Sequence, residues 1–152
     1  MGTWDTGIFD NDSAADFSGS VEHASDVPAR HDLLMATMGA VLEREIREDE
    51  VAKDYSMGYE LSFALAAAAY VADAKNGVHQ FTDNAYAMGH NQAVEDPDDD
   101  GHWYHIDLGT PGPELVQRGV LVVAKILARM VAVGLEDEWQ EPVRELLVAL
   151  NK

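Results

Sequence analysis

An acidic segment near residue 100 spaces its oxygen ligands as a calcium-binding loop of twelve residues does. Its candidate metal ligands stand at loop positions one, three, five, seven and twelve: Asp96, Asp98, Asp100, the carbonyl oxygen of His102, and Asp107. Gly101 occupies position six, where such loops turn sharply. Calcium takes about six to eight oxygen ligands, so this arrangement is compatible with a calcium site.

The same segment departs from calcium loops in three respects. Trp103 stands where an aliphatic residue is usual, and Asp107 stands where glutamate is usual. The glycines and prolines of residues 109–113 would prevent a helix from following the loop directly. In a chain with 28 acidic residues, a solvated acidic loop is therefore the preferred interpretation, and a calcium site is the alternative.

Histidines in the same region suggest a second kind of metal chemistry. His102 and His105, together with His90, could bind a transition metal beside the carboxylates. The sequence has no His-x-x-x-His pair and no glutamate placed as a general base beside one. It also lacks a phosphate-binding glycine loop, a nucleophile elbow and a dinucleotide fingerprint. An enzyme, most concretely a metal-dependent hydrolase, is therefore the third hypothesis.

The net charge of the chain indicates which classes of molecule it can bind. The chain has 28 Asp and Glu against 10 Lys and Arg, which gives a formal charge of −18. Nucleic acids and anionic membranes require a basic surface, so the sequence argues against both. A basic protein or a metal ion is the partner that this charge favours. Cysteine is absent, which excludes thiolate metal sites and cysteine nucleophiles.

The amino terminus and the apolar runs bear on localisation. Residues 1–5 contain neither a basic nor an apolar signal region, so we expect a cytoplasmic protein. The apolar run of residues 61–72 is too short to span a bilayer. Lys125 and Arg129 interrupt the apolar run of residues 120–133. We therefore expect no membrane anchor.

Hydrophobic periodicity predicts a mainly α-helical protein, a compact bundle of four main helices preceded by a short N-terminal helix. The chain is expected to form a single domain over residues 1–152, in which residues 1–25 hold an N-terminal motif and the short helix. Residues 77–112 lose the helical pattern and are expected to form a long irregular loop insertion.

The first of the four main helices is expected from about residue 28, with its far end in residues 43–54, and the others over about residues 57–75, 113–133 and 136–150. Asp26 and Pro28 suit the start of the first, and the acidic stretch of residues 43–54 is interpreted as its solvated end. The second is alanine-rich and apolar nearly all round, which is typical of a central helix. The third carries one polar stripe, formed by Glu114, Arg118, Lys125 and Arg129. Gly134 separates it from the last helix.

The chain opens with a dense motif, Met-Gly-Thr-Trp-Asp-Thr-Gly-Ile-Phe-Asp-Asn-Asp-Ser-Ala-Ala-Asp. This opening resembles that of a bacterial family known as domain of unknown function 4259, whose members begin Met-Gly-x-Trp-Gly-x-Gly-x-Phe-Asp-Asn-Asp-x-Ala-x-Asp. The matching residues are Gly2, Trp4, Gly7, Phe9, Asp10, Asn11, Asp12, Ala14 and Asp16. Asp5 departs from the pattern, because the family has glycine there. The resemblance implies a small helical protein without an assigned activity.

The motif has two physical interpretations. In the first, Trp4 and Phe9 anchor the segment to the helical body, and Asn11 or Asp12 caps a helix that starts near residue 13. In the second, a cluster of carboxylates binds a cation or a basic side chain, and its members are Asp10, Asp12 and Asp16. We prefer the structural interpretation, because Asn and Asp are common caps at helix starts.

The leading functional hypothesis is a non-enzymatic acidic binding protein, most concretely an immunity-type inhibitor of a basic partner such as a toxin. The alternative is a calcium-binding or calcium-stabilised protein that uses residues 96–107. The leading hypothesis requires no cofactor, and calcium is the cofactor of the alternative. The sequence leaves the oligomeric state open.

Overall fold

The computed structural model describes residues 12–51, 58–78, 80–81 and 108–152, and all regular structure in those ranges is helical. The α-helices of this part are α1 (Asp12–His23), α2 (Val27–Leu42), α3 (Tyr59–Asn76), α4 (Pro113–Ala132) and α5 (Asp137–Leu150). A short 3-10 helix, Glu48–Glu50, lies between α2 and α3. The predicted bundle of four main helices with a shorter N-terminal helix is confirmed. Within the described ranges, no helix is long and apolar enough to cross a membrane.

The centre of the bundle is α3, which packs against each of the other four helices. Its alanine run, Ala66–Ala69, is fully buried, so the short side chains let neighbouring helices approach closely. One close approach lies at Gly119 of α4, where an added Cβ would stand 3.9 Å from Ala68 Cβ and 3.2 Å from Leu150 Cδ2. The prediction of a central, alanine-rich helix is therefore confirmed.

Local signals explain several helix boundaries. The Asp26 carboxylate caps α2 by accepting a hydrogen bond of 2.9 Å from the amide of Ala29. Gly77 ends α3 and Gly134 follows α4, with φ values of 66° and 76° that favour glycine. Pro113 is the first residue of α4, where its missing amide hydrogen costs no helical bond.

Aromatic side chains hold α1 against α3. Phe17 is buried, and its ring centroid lies 5.5 Å from that of Phe63 and 6.5 Å from that of Tyr70. Val21, one turn further along α1, is fully buried as well. The apolar face of α1 therefore becomes part of the same core as the four longer helices.

The first main helix ends earlier than its apolar spacing predicts. It stops at Leu42, and Ile46 is buried without being part of the helix. The Nζ of Lys125, on α4, donates hydrogen bonds of 3.0 and 3.3 Å to the carbonyl oxygens of Val41 and Leu42, and a third to that of Arg44. Carbonyls at a helix end need such partners, so a cation from a distant helix stabilises the end at this place.

The polar stripe of α4 lies mostly against α2. Arg118, Lys125 and Arg129 are half-buried, and the guanidinium of Arg118 lies 2.8 Å from the position of a Cβ on Gly39. Long basic side chains can cover apolar surface with their methylene groups, which explains this position. The exposed positions along the middle of α4 are apolar instead, namely Leu121, Ala124, Ala128 and Val131.

We expect that Ala68→Leu will lower the free energy of unfolding by about 1–3 kcal/mol, because the larger side chain overpacks the contact between α3 and α4. The matched control is Ala36→Leu, which makes the same change at an exposed position of α2. Urea unfolding followed by circular dichroism measures both. Equal stabilities for the two variants would show that α3 is not closely packed at Ala68.

Candidate functional site

One end of the bundle brings together the connection after α2 and the turn between α4 and α5. Glu45 and Ile46 line an open cleft with Ala128 and Ala132 of α4, and α5 starts at Asp137, directly after the turn. Eight exposed acidic residues lie at this end, which we call the acidic end: Glu43, Glu45, Glu48, Asp49, Glu136, Asp137, Glu138 and Glu141.

A paired guanidinium and carboxylate fixes the connection between α2 and α3. Nη1 and Nη2 of Arg44 donate hydrogen bonds of 2.9 and 2.7 Å to the two carboxylate oxygens of Glu50. The Glu50 side chain is only 9% exposed, so water competes little for these bonds. Bidentate hydrogen bonds between arginine and a carboxylate are among the strongest polar contacts in proteins.

Two further bonds extend this contact to the neighbouring backbone and to α3. The amide of Arg47 donates a hydrogen bond of 2.8 Å to Glu50, and Nη2 of Arg44 donates one of 2.7 Å to Glu60 in the first turn of α3. We call Arg44, Glu50 and Glu60 the Arg44–Glu50 cluster. The sequence had suggested that the acidic stretch after α2 is a solvated helix end. The Arg44–Glu50 cluster shows instead that Glu50 of this stretch is bound to Arg44 and nearly buried.

The Arg44–Glu50 cluster changes the protonation chemistry of Glu50. The hydrogen bonds from the Arg44 side chain lower the pKa of Glu50 to about 2, against the opposing effect of burial. The same contact raises the pKa of Arg44 above its usual value. Glu50 is therefore an anion at neutral pH, and it serves as an anchor rather than as a proton donor.

The exposed acids of the acidic end differ in their partners. Arg144 contacts Asp137 at 3.3 Å and Glu141 at 3.1 Å, and Arg47 contacts Asp49 at 3.2 Å. These are surface ion pairs, which contribute little. Within the described part of the chain, the remaining acids of this end have no ion pair: Glu43, Glu45, Glu48, Glu136 and Glu138.

The geometry of the acidic end suits long-range attraction of cationic groups. Among the described residues, no three His, Asp or Glu side chains converge closely enough to hold a metal ion. The acids are instead spread along two segments, residues 43–49 and 136–141, on exposed positions. Spread carboxylates of this kind create a negative field over a broad surface instead of a chelating site.

Most residues singled out from the sequence lie outside the described ranges. These are Trp4, Phe9, Asp10 and Asn11 of the opening motif, and the calcium ligands Asp96, Asp98, Asp100, His102 and Asp107. Asp12 is the first residue of α1, and Asp16 is exposed on that helix. The anchor, carboxylate-cluster and calcium interpretations therefore stay predictions.

Sequence reasoning missed the role of Glu50. Its position among five other acids in residues 43–54 made it look solvated. One available signal was the arginine six residues earlier, since a tight turn can bring Arg44 and Glu50 together. Spacing alone could not show that turn.

We predict that Glu50→Gln will destabilise the protein in a pH-dependent manner. The pKa of Glu50 falls from an ordinary 4.5 to about 2 on folding, so its carboxylate stabilises the fold fully above about pH 5. That contribution, on the order of 3 kcal/mol at most, is lost as the pH falls through about 2. The free energy difference between wild type and variant should therefore stay constant from pH 7 to about pH 5 and then shrink as the pH falls towards 3.

Urea unfolding at a series of pH values measures this difference. Glu48→Gln is the matched control, because Glu48 is exposed and lies outside the cluster. Its difference from wild type should stay small at every pH. A Glu50→Gln difference that does not change with pH would contradict the proposed origin of its stabilisation.

Comparison with known proteins places the chain in a family. Residues 2–146 match the family model described as Domain of unknown function (DUF4259). No curated protein matches the chain, and no solved structure does. The matched range includes the first four helices completely and α5 as far as Leu146. The chain therefore belongs to the DUF4259 family.

Proposed function

We propose that this protein is a non-enzymatic binding protein whose acidic end engages the basic surface of a partner protein. In its most concrete form, it is an immunity-type inhibitor of a cationic toxin. The observation that carries this proposal is the gathering of exposed acids at one end of the bundle, five of them without an ion pair among the described residues.

Electrostatic steering supports this function. Residues 45–46 line a cleft with the last turns of α4, and residues 136–141 follow α4 after a short turn, so the fields of the two segments add at this end. Complementary fields raise association rates and reject partners of the wrong charge. Fast association suits an inhibitor that must reach a harmful protein before that protein reaches its target.

The Arg44–Glu50 cluster supports the same function by limiting the entropy lost on binding. The connection after α2 is tied to Glu60 of α3 and, through Lys125, to α4. A surface held in its bound conformation loses less conformational freedom when the partner arrives. Acids such as Glu43 and Glu48 are thereby presented from an ordered backbone.

The state of the carboxylates favours recognition over proton transfer. Glu50 is committed to Arg44, and the acids around it are exposed to solvent. General acid or base catalysis works best with a carboxyl group whose pKa is tuned close to the working pH, usually by burial. Exposed carboxylates attract cationic side chains without any such tuning.

A pair of charge-reversed variants tests the proposal. One variant carries Glu48→Lys and Glu138→Lys at the acidic end. The control carries Asp32→Lys and Glu114→Lys, which are exposed positions far from that end. Both variants change the net charge equally. Only the first should lose affinity for a basic partner, by about tenfold or more, because only it reverses the recognised surface.

The measurement begins with affinity capture from the lysate of the organism that encodes the chain, at low salt, with each variant as bait. The captured protein is then titrated against wild type and both variants at several salt concentrations. The expected partner is basic, and its affinity for wild type falls as salt rises. Equal losses in both variants, or no loss in either, would reject recognition by the acidic end.

A further inference from the structure

Four exposed apolar residues form a stripe along the outer face of α4. Most of the exposed charged residues in the described ranges are acidic. Leu121, Ala124, Ala128 and Val131 are separated by three, four and three residues, which places them on one side of the helix. Leu121 is 50% exposed and Val131 is 56% exposed. The helices that pack against α4 in the described part, α2, α3 and α5, leave this stripe uncovered.

We propose that this stripe joins two copies of the chain, with their α4 helices antiparallel about a two-fold axis. The stripe has the same order of sizes in both directions, large, small, small and large. Antiparallel pairing therefore sets Leu121 against Val131 of the second copy, and Ala124 against Ala128 of the second copy. The spacing of three and four residues is that of helices that pack along a shared seam.

The sizes of the side chains suit such a contact. Two alanines at the centre let the helix backbones approach closely, and the larger residues fill the space towards each end. A two-fold contact uses the same surface on both copies, so association stops at the dimer. A contact of one helix pair and its edges is small, roughly 1,000 Å², and we expect dissociation in the micromolar range.

Charge also favours a second copy at this face. A net charge of −18 makes contact between two copies repulsive over most of the surface. The helix α4 is an exception, because Glu114 is its single acid beside Arg118, Lys125 and Arg129. Neither Arg118 nor Arg129 forms an ion pair with another residue of the described ranges. At this face two acidic molecules therefore repel each other less than at the acidic end.

The two-fold axis also gives Arg118 an acidic partner. When a two-fold axis relates two antiparallel helices, the same flank of each helix lies on the same side of the contact. The flank of α4 that packs against α2 in one copy therefore lies beside the same flank in the other copy. Arg118 lies on that side near the start of α4, and Glu45 lies on that side near its end. Each Arg118 therefore comes beside Glu45 of the second copy, and most of the acidic end stays free.

Sedimentation velocity of the purified chain tests the dimer. Wild type should shift from monomer to dimer between about 1 and 300 µM, as expected for a small interface. Ala128→Glu should stay monomeric, because it places two like charges across the two-fold axis. Ala36→Glu, the same change at an exposed position of α2, should dimerise as wild type does. Circular dichroism checks that all three are folded.

Two outcomes would overturn the proposal. One is a wild-type chain that stays monomeric over the whole range of concentration. The other is an Ala128→Glu variant that dimerises as strongly as wild type. Both outcomes are independent of the proposed function, because the purified chain is tested without any other protein.

Reversal of charge tests the edge of the contact in the same experiment. Arg118→Glu should weaken the dimer, and so should Glu45→Arg, by about threefold to tenfold each, because each places like charges beside one another. The double variant restores opposite charges and should recover most of the affinity. Losses that simply add in the double variant would contradict the pairing of Arg118 with Glu45.

Cysteine crosslinking tests the antiparallel arrangement, since the natural chain contains no cysteine. A mixture of Leu121→Cys and Val131→Cys should form a disulfide-linked dimer on mild oxidation. Each variant alone should crosslink poorly, because its two thiols lie roughly 15 Å apart along the helices. Equal crosslinking of either variant with itself would rule out this arrangement.

Discussion

The contact between Arg44 and Glu50 is the constraint on which the acidic end depends. The connection after α2 carries four exposed acidic residues whose negative charges repel one another. Contact with solvent does not hold their backbone in one conformation. Arg44 opposes that repulsion by binding a carboxylate that is nearly buried, and Glu60 joins it to the start of α3. Lys125 completes the arrangement from α4 by binding the last carbonyls of α2. Two cations thus organise a surface that is otherwise anionic.

The distribution of charge follows from these contacts. The basic side chains of α4 lie against α2. Lys125 donates hydrogen bonds to the last carbonyls of α2, and the guanidinium of Arg118 lies beside Gly39. Because these basic side chains lie against α2, the exposed residues along the middle of α4 are apolar. The exposed acidic residues of the acidic end lie at one end of the bundle. The described part of the molecule therefore has two different surfaces, an acidic one that we propose binds a cationic partner and an apolar one that we propose binds a second copy.

The helical bundle could be predicted where local chemistry decides the structure. The cap at Asp26, the proline at residue 113 and the glycine at residue 77 each act through their own backbone neighbours. The alanine-rich α3 was recognisable because a helix that is apolar all round must be buried. The opening motif indicated the family for a similar reason, since it is short and contiguous.

The rest could not be predicted, because distant residues decide it. The spacing from Leu42 to Ile46 fits a continuing helix, yet α2 ends where Lys125, more than eighty positions away, binds its carbonyls. Glu50 has the same sequence environment as its solvated neighbours and differs only in the turn that brings it to Arg44. Spacing showed the polar stripe of α4, but only the packing of the described helices shows that most of this stripe lies against α2 and that an apolar stripe is exposed instead.

Amide hydrogen exchange measured by NMR tests the central claim most directly, that the Arg44–Glu50 cluster holds the acidic connection in place. The amides of Arg47, Glu50 and Gly58 donate hydrogen bonds within this region and should exchange slowly in wild type. In Arg44→Met they should exchange much faster, while amides inside α3 and α4 keep their protection. Arg144→Met, which removes a surface arginine from α5, should leave the three amides protected. Unprotected amides in wild type, or unchanged exchange in Arg44→Met, would contradict the account.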